Sequence, residues 1–124
     1  MKTNIVKDKT YAFALRIVQL THSLREQKEY ELAGQVLRAG TSIGANVEEA
    51  LAGISRADFV AKMSIASKEA RESHYWLRIL RDSKIVPTNE INPLIEEFGE
   101  ILRLLTAIVK TSQSSQNSKL RIKN

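Results

Sequence analysis

Residues 55–80 read SRADFVAKMSIASKEARESHYWLRIL and carry the apolar pattern of one long helix. The apolar and small positions alternate at spacings of four and three residues: Phe59, Met63, Ala66, Ala70, Ser73, Leu77 and Leu80. This heptad spacing is typical of a helix that packs against its neighbours at a shallow angle in a bundle. Ser55, three residues before Asp58, predicts the N-terminal cap of the helix.

Three further amphipathic segments accompany this helix. They cover about residues 6–24, about residues 30–52, and a segment that begins between Thr88 and Pro93 and ends near Lys110. Their predicted core positions are Phe13, Ile17, Leu20 and Leu24; Leu32, Val36, Ala39, Ile43 and Val47; and Leu94 or Ile95, Phe98, Leu102, Leu105 and Val109. Ala14 and Val18 are expected to widen the first stripe. The predicted fold is all-α, an antiparallel up-down-up-down four-helix bundle.

Small residues crowd the second segment, among them Gly34, Gly40 and Gly44. A glycine inside a helix costs roughly 1 kcal/mol relative to alanine. Three of them within eleven residues therefore predict a close approach of neighbouring helices. A helix that is bent or broken between Gly40 and Gly44 is the alternative.

The basic excess is concentrated at the C-terminal end. The formal net charge of the chain is +5, but Lys119, Arg121 and Lys123 have no acid near them, so residues 1–111 carry a net charge of only +2. We expect residues 1–111 to form the bundle and residues 112–124, which are too polar to pack, to form a flexible basic tail. Such a tail binds polyanions or simply keeps a terminus soluble.

The residue types needed for most catalytic and metal sites are scarce. The chain has no cysteine, and its two histidines, His22 and His74, have no partner at ligand spacing. We therefore expect no enzyme activity, no metal and no cofactor. The N-terminus lacks the apolar segment of a signal peptide, and no apolar run approaches the ~18 residues of a membrane span. A cytoplasmic location without membrane contact is expected.

The third helix has a second apolar surface. At about 100° per residue, four side chains lie off the heptad seam: Ile65, Tyr75, Trp76 and Ile79. An apolar patch that contains Trp and Tyr predicts burial against another subunit. Two alternatives stay open: Trp76 covers a groove of its own bundle, or bases stack on Tyr75 and Trp76.

A basic cluster borders this patch and consists of Lys68, Arg71, Arg78 and Arg81. Arginine interleaved with aromatic residues suits a nucleic-acid surface, and it suits a subunit interface equally well. The neighbouring Glu69, Glu72 and Asp82 favour a third interpretation, a solvated or ion-paired face.

A polar row follows the second helix at spacings of four, four and three residues: Arg38, Ser42, Asn46 and Glu49. Beside an apolar seam, such a row can set the register of helices or form subunit contacts. An exposed binding strip is the alternative.

Residues 35–50, QVLRAGTSIGANVEEA, resemble the second-helix signature of a bacterial family of small four-helix-bundle proteins. The family was first recognised in intervening sequences of 23S rRNA genes and bears a ribosomal-protein-like name. Residues 55–59 and 62–77 are similar to one branch of it, and the resemblance covers roughly residues 8–110. Ala50 replaces a glycine found in many members, which favours a longer second helix.

The resemblance implies a homopentamer related to the accessory proteins of diversity-generating retroelements, which bind nucleic acid and a reverse transcriptase through a basic pentameric surface. The expected function is non-catalytic binding of RNA or DNA by an oligomer, alone or as an accessory to a nucleic-acid enzyme. The basic cluster and the tail would supply the binding residues. The alternative is a protein-interaction scaffold that does not bind nucleic acid.

Overall fold

The computed structural model describes the backbone of residues 2–123 and the side chains of residues 4–115. This part of the chain folds into four helices: α1 (Lys2–Glu26), α2 (Tyr30–Leu51), α3 (Arg56–Asp82) and α4 (Thr88–Lys123). Each helix packs against the next one along the chain, and α4 packs against α1. The predicted all-α, up-down-up-down four-helix bundle is confirmed.

The turns between helices are short and are stabilised by local hydrogen bonds. The backbone N–H of Asp58 donates to Ser55 Oγ at 3.0 Å, which confirms the predicted cap of α3. Lys28 and Lys84 adopt positive φ angles of 66° and 63° after the ends of α1 and α3. Such left-handed residues end many helices, because they let the last carbonyl groups find partners in the turn.

The core lies along the bundle axis and receives side chains from all four helices. On α3, the heptad positions from Met63 to Leu80 are buried, and Phe59 is half-buried. The rings of Phe13 on α1 and Phe98 on α4 pack with their centroids 5.1 Å apart. The predicted core positions of the other helices are buried or pack against this core.

Two glycines of α2 permit the predicted close approach, and they face α1. A Cβ atom on Gly40 would lie 2.8 Å from Cγ2 of Ile17, and one on Gly44 would lie 3.4 Å from the carbonyl oxygen of Thr10. The helix is continuous across both, so the alternative of a broken helix is wrong. Gly34 differs, because a Cβ there would meet nothing within 4 Å.

Helix α4 continues well beyond Lys110, where composition predicted its end. Ser112 lies one turn after Ile108 and, like it, is buried. The buried stripe of α4 therefore extends into the polar segment, and the backbone stays helical to Lys123. That residues 112–124 form a flexible basic tail stays a prediction.

Candidate nucleic-acid interface

Ion pairs join α1 to α4 along one side of the bundle. Lys9 Nζ lies 2.9 Å from Glu100 Oε1, and Arg16 pairs with Glu97. These side chains keep much of their exposure, so each pair contributes roughly 0–1 kcal/mol to stability. Their main consequence is that two basic side chains on this side are neutralised.

Ion pairs also join α2 to α3. Arg38 Nη1 lies 3.5 Å from Glu69 Oε2, while the other Nη of Arg38 pairs with Glu72. Glu72 also accepts a hydrogen bond from Nε1–H of Trp76 at 3.4 Å. Burial acts to raise the pKa of Glu72, but the hydrogen bonds from Trp76 and Arg38 and the charge of Arg38 outweigh it, so the pKa is lowered. Guanidinium, carboxylates and indole thus form one network.

The predicted polar row lies on the side of α2 that faces this network. Arg38 begins it, and Glu49 at its end pairs with Lys62 of α3 at 3.0 Å. Between them, Ser42 Oγ donates to the carbonyl oxygen of Arg38 at 2.7 Å, and Asn46 Nδ2 donates to that of Ser42 at 2.8 Å. The row therefore bonds α3 at both ends, as a device that sets helix register would. A role in subunit contacts stays a prediction.

His74 lies on the side of α3 that contacts α4. Its ring stacks on Phe98 with centroids 5.7 Å apart and an angle of 26° between the planes. Burial lowers the pKa of His74, and the charges of Arg78 and Arg81 lower it further. The imidazole is therefore neutral at pH 7 although basic residues surround it.

Three of the four predicted basic residues of α3 are exposed. Arg71 precedes His74 by one turn, Arg78 follows it by one turn, and Lys68 lies one turn before Arg71. None of the three forms an ion pair with the described side chains 4–115. Arg81 differs, because it is half-buried and its Nε donates to Oδ1 of the adjacent Asp82 at 2.8 Å.

Helix α4 adds a basic residue that sequence analysis missed. Arg103 is exposed and has no ion-pair partner among side chains 4–115. Its Nη1 lies 3.5 Å from where a Cβ on Gly99 would be, so the side chain folds back one turn along the helix. Because Gly99 follows Phe98, the guanidinium reaches the level of the His74 stack. The signal for this geometry in the sequence is Gly99, which lies one turn before Arg103.

We call these exposed basic residues of α3 and α4, together with the exposed Tyr75, the basic face. It comprises Lys68, Arg71, Tyr75 and Arg78 of α3 and Arg103 of α4. Within the described side chains, no ion pair joins α3 to α4, in contrast to the two paired sides. Glu96 is an exposed acid two turns before Arg103, so the face is not uniformly positive.

The four residues predicted as subunit contacts fall on different sides of α3. Ile65, 40% exposed, and Trp76 lie on the side of α2, one turn from Glu69 and Glu72 respectively. Trp76 is half-buried and packs against the core, which agrees with the alternative that it covers a groove of its own bundle. Tyr75 is 51% exposed and belongs to the basic face, whereas Ile79 is half-buried.

Helix α1 carries an exposed apolar stripe that sequence analysis also missed. Tyr11, Leu15 and Val18 recur at spacings of four and three residues and are 58%, 52% and 38% exposed. The expectation that Val18 widens the core stripe is wrong, because the core side of α1 is centred on Ile17 and Val18 lies about 100° from it. The stripe lies away from the side of α1 that pairs with α4.

Three predicted basic residues of the C-terminal segment cannot be placed on this surface. The side chains of Lys119, Arg121 and Lys123 lie outside the described residues. Within the described part of the chain, no three His, Asp or Glu residues come together as metal ligands would. None of the helices described has a sufficiently long apolar segment to cross a bilayer.

Within the described residues, the fold and its charged sides define a small four-helix-bundle protein with a basic face on α3 and α4. The family of 23S rRNA-intervening sequence proteins matches residues 2–107, and the chain belongs to this family. The resemblance stated on residues 35–50, 55–59 and 62–77 is thereby confirmed. A crystal structure of a protein of unknown function from the S23 ribosomal protein family of Bacteroides thetaiotaomicron VPI-5482 is similar to this chain, with a TM-score of 0.85 and 47% identity. The match covers 89% of this chain and 99% of that one. No curated protein matches the chain.

Proposed function

We propose that this protein is a non-catalytic, cytoplasmic oligomer that binds RNA or DNA through the basic face, alone or as an accessory to a nucleic-acid enzyme. The observation that carries the proposal is the distribution of ion pairs. Within side chains 4–115, every ion pair between helices joins α1 to α4 or α2 to α3. The exposed cations of the basic face are left to attract phosphate groups.

A small net charge is sufficient if it is concentrated and repeated. Arg71, Arg78 and Arg103 place guanidinium groups, which bind phosphate by charge-assisted hydrogen bonds, on one surface. Arg81 is partly neutralised by Asp82, so it contributes less. In the homopentamer that the resemblance implies, five copies of the face would act together and raise the apparent affinity. Lys119, Arg121 and Lys123 would add to it if they reach the ligand.

The test is a titration with fluorescein-labelled RNA and DNA at low and near-physiological salt. Phosphate contacts release counterions, so affinity should fall steeply as salt rises. Replacing Arg71 and Arg78 with Gln should weaken binding to every sequence and lower the magnitude of the salt slope by about one for each arginine that touches a phosphate. The matched control is Arg25→Gln with Lys28→Gln, which removes equal charge from the exposed end of α1.

A third variant separates the basic face from the C-terminal segment. Replacing Lys119, Arg121 and Lys123 with Gln in the full chain removes the basic charge of that segment only. If this variant loses binding and the Arg71 and Arg78 variant retains it, the binding site lies in the C-terminal segment. Absence of salt-sensitive binding by wild type would overturn the proposal.

The rival function is a protein-interaction scaffold, and the exposed stripe on α1 favours it. Tyr11, Leu15 and Val18 present apolar surface that a monomer would leave in water. A second copy of the chain is the occupant we propose, because subunit interfaces favour such residues. Self-association through this stripe is compatible with nucleic-acid binding, since the stripe and the basic face lie on different helices.

A further inference from the structure

We infer that the basic face binds an unpaired strand of nucleic acid, with one base stacked on Tyr75 and the phosphate backbone held by Arg71, Arg78 and Arg103. This inference rests on the proposed function and specifies its ligand. It adds two assignments: Tyr75 as a stacking platform and Arg103 as a phosphate contact.

The position of Tyr75 suits a stacking platform. It follows Arg71 by four residues and precedes Arg78 by three, so its ring stands within the row of arginines. Tyr75 is 51% exposed, whereas Phe13 and Phe98 are buried in the core. The guanidinium carbon of Arg78 lies 6.0 Å from the ring centroid. A base placed on Tyr75 would therefore bring its phosphate within reach of the neighbouring arginines.

Trp76, the other aromatic residue of this segment, is unsuited to the same task. Its ring is half-buried against the core, and its Nε1–H donates to the Glu72 carboxylate. A strand that stacked on Trp76 would bring phosphate close to Glu72 and Glu69, which repel it. Tyr75 meets the Trp76 ring edge-on, at 72° and a centroid distance of 5.3 Å, and this contact holds the tyrosine ring in place.

Arg103 extends the surface from α3 onto α4. Its guanidinium lies over Gly99, the residue after Phe98. Phe98 stacks on His74, which lies between Arg71 and Arg78 on α3, so Arg103 is at a similar height along the bundle axis. Because Gly99 has no side chain, the arginine can lie along the surface of α4. The Arg78 guanidinium lies 6.0 Å from the centroid of the Tyr75 ring, and Arg71 and Arg103 would supply further positive charge to the same bound strand.

An unpaired strand fits this surface better than a duplex. In a duplex the faces of the bases are covered by their neighbours, so Tyr75 would find no base to stack on. Stacking accepts any base and arginine accepts any phosphate, so we expect weak sequence preference and binding of both RNA and DNA.

The experiment compares full-length wild type with Tyr75→Phe, Tyr75→Leu and Arg103→Gln. The probes are oligo(dT) and oligo(rU) of about fifteen nucleotides and a DNA duplex of equal length. Both single strands should bind at least about tenfold more tightly than the duplex. Tyr75→Leu should weaken single-strand binding by about 5- to 150-fold without changing the salt slope, whereas Tyr75→Phe should retain it. Arg103→Gln should lower the magnitude of the slope by about one.

The control is Arg25→Gln, and unchanged circular dichroism and oligomer mass must accompany each variant. This inference would be overturned if wild type bound duplex and single strands with equal affinity. It would also be overturned if Tyr75→Leu and Arg103→Gln both bound with wild-type affinity. In either case the proposed binding of nucleic acid would remain. Failure of wild type to bind any of the three probes would overturn the proposed function together with it.

Discussion

His74 packs between α3 and α4 near two arginines of its own helix, and this placement couples its protonation to folding. Its ring stacks on Phe98 of α4, and the charges of Arg78 and Arg81 act on it. Burial, followed by the charges of Arg78 and Arg81, lowers its pKa below the usual 6.5. The unfolded chain therefore takes up a proton at this residue more readily than the folded chain does.

The first prediction concerns stability against pH. The pKa of His74 is lower in the folded chain than in the unfolded chain. Protonation of His74 therefore does not change the free energy of unfolding well above pH 6.5, and it lowers that free energy as pH drops through 6.5 toward the folded pKa. His74→Gln should remove this fall, and His22→Gln should keep it. The free energy of urea unfolding is to be measured between about pH 5 and pH 8. Parallel curves for wild type and His74→Gln would contradict it.

The two carboxyl groups with lowered pKa values should not obscure the fall in stability between pH 6.5 and about pH 5. Hydrogen bonding from Arg81 lowers the pKa of Asp82 from 3.8, and the pKa of Glu72 is lowered from 4.5. Stability linked to a depressed carboxylate is present above its unfolded pKa and lost as pH falls through its folded pKa. Those losses lie below pH 4.5, so a fall between pH 6.5 and about pH 5 belongs to the histidine.

The sequence predicted the arginines of α3 but could not predict Arg103. Arg71 and Arg78 were identified because the heptad seam shows which side chains of α3 point outward. Whether they are neutralised depends on contacts between helices, which periodicity does not contain. Tyr75 and Trp76 are adjacent and diverge by about 100°, and only the packing of α2 against α3 shows which of them contacts the core.

Among the elements, α2 was predicted well in extent, and its glycines divide into two kinds. Gly40 and Gly44 permit the approach of α1, and this was predictable from the cluster of small residues. Gly34 belongs to the same cluster, but a Cβ there would meet open space. The end of α4 was missed, since composition gives no account of burial and Ser112 continues a buried stripe.

Replacement by alanine should have opposite effects on stability at Gly34 and at Gly40. Gly34→Ala should raise the free energy of unfolding by roughly 0.5–1 kcal/mol, because alanine loses less backbone entropy in a helix. Gly40→Ala should lower it by roughly 1–2 kcal/mol, because the new methyl group would meet Cγ2 of Ile17 at 2.8 Å and Cβ of Ile17 at 3.3 Å. Urea unfolding measures both. A rise in the free energy of unfolding for Gly40→Ala would mean that the α1–α2 contact relaxes more easily than the geometry indicates, and a fall for Gly34→Ala would contradict the open space at that position.

For the molecule as a whole, the surfaces have different chemistry on different sides. Ion pairs cover the sides between α1 and α4 and between α2 and α3, while the basic face lies on α3 and α4 and the apolar stripe on α1. Self-association through the stripe would leave Tyr75 and the arginines open to nucleic acid. Self-association through α3, as the pattern of Ile65, Tyr75, Trp76 and Ile79 predicts, would cover Tyr75.

The last prediction decides between these arrangements. Leu15→Glu places a charge in the middle of the apolar stripe and should dissociate the oligomer, because a buried unpaired carboxylate is costly. Ile65→Glu makes a comparable change on α3 and should leave the mass unchanged. Both positions are exposed in the single chain, so neither variant should unfold it. Light scattering gives the mass, and circular dichroism checks the fold. If Ile65→Glu dissociates the oligomer and Leu15→Glu does not, the interface lies on α3. Tyr75 would then be part of a subunit contact, and nucleic acid would have to bind elsewhere.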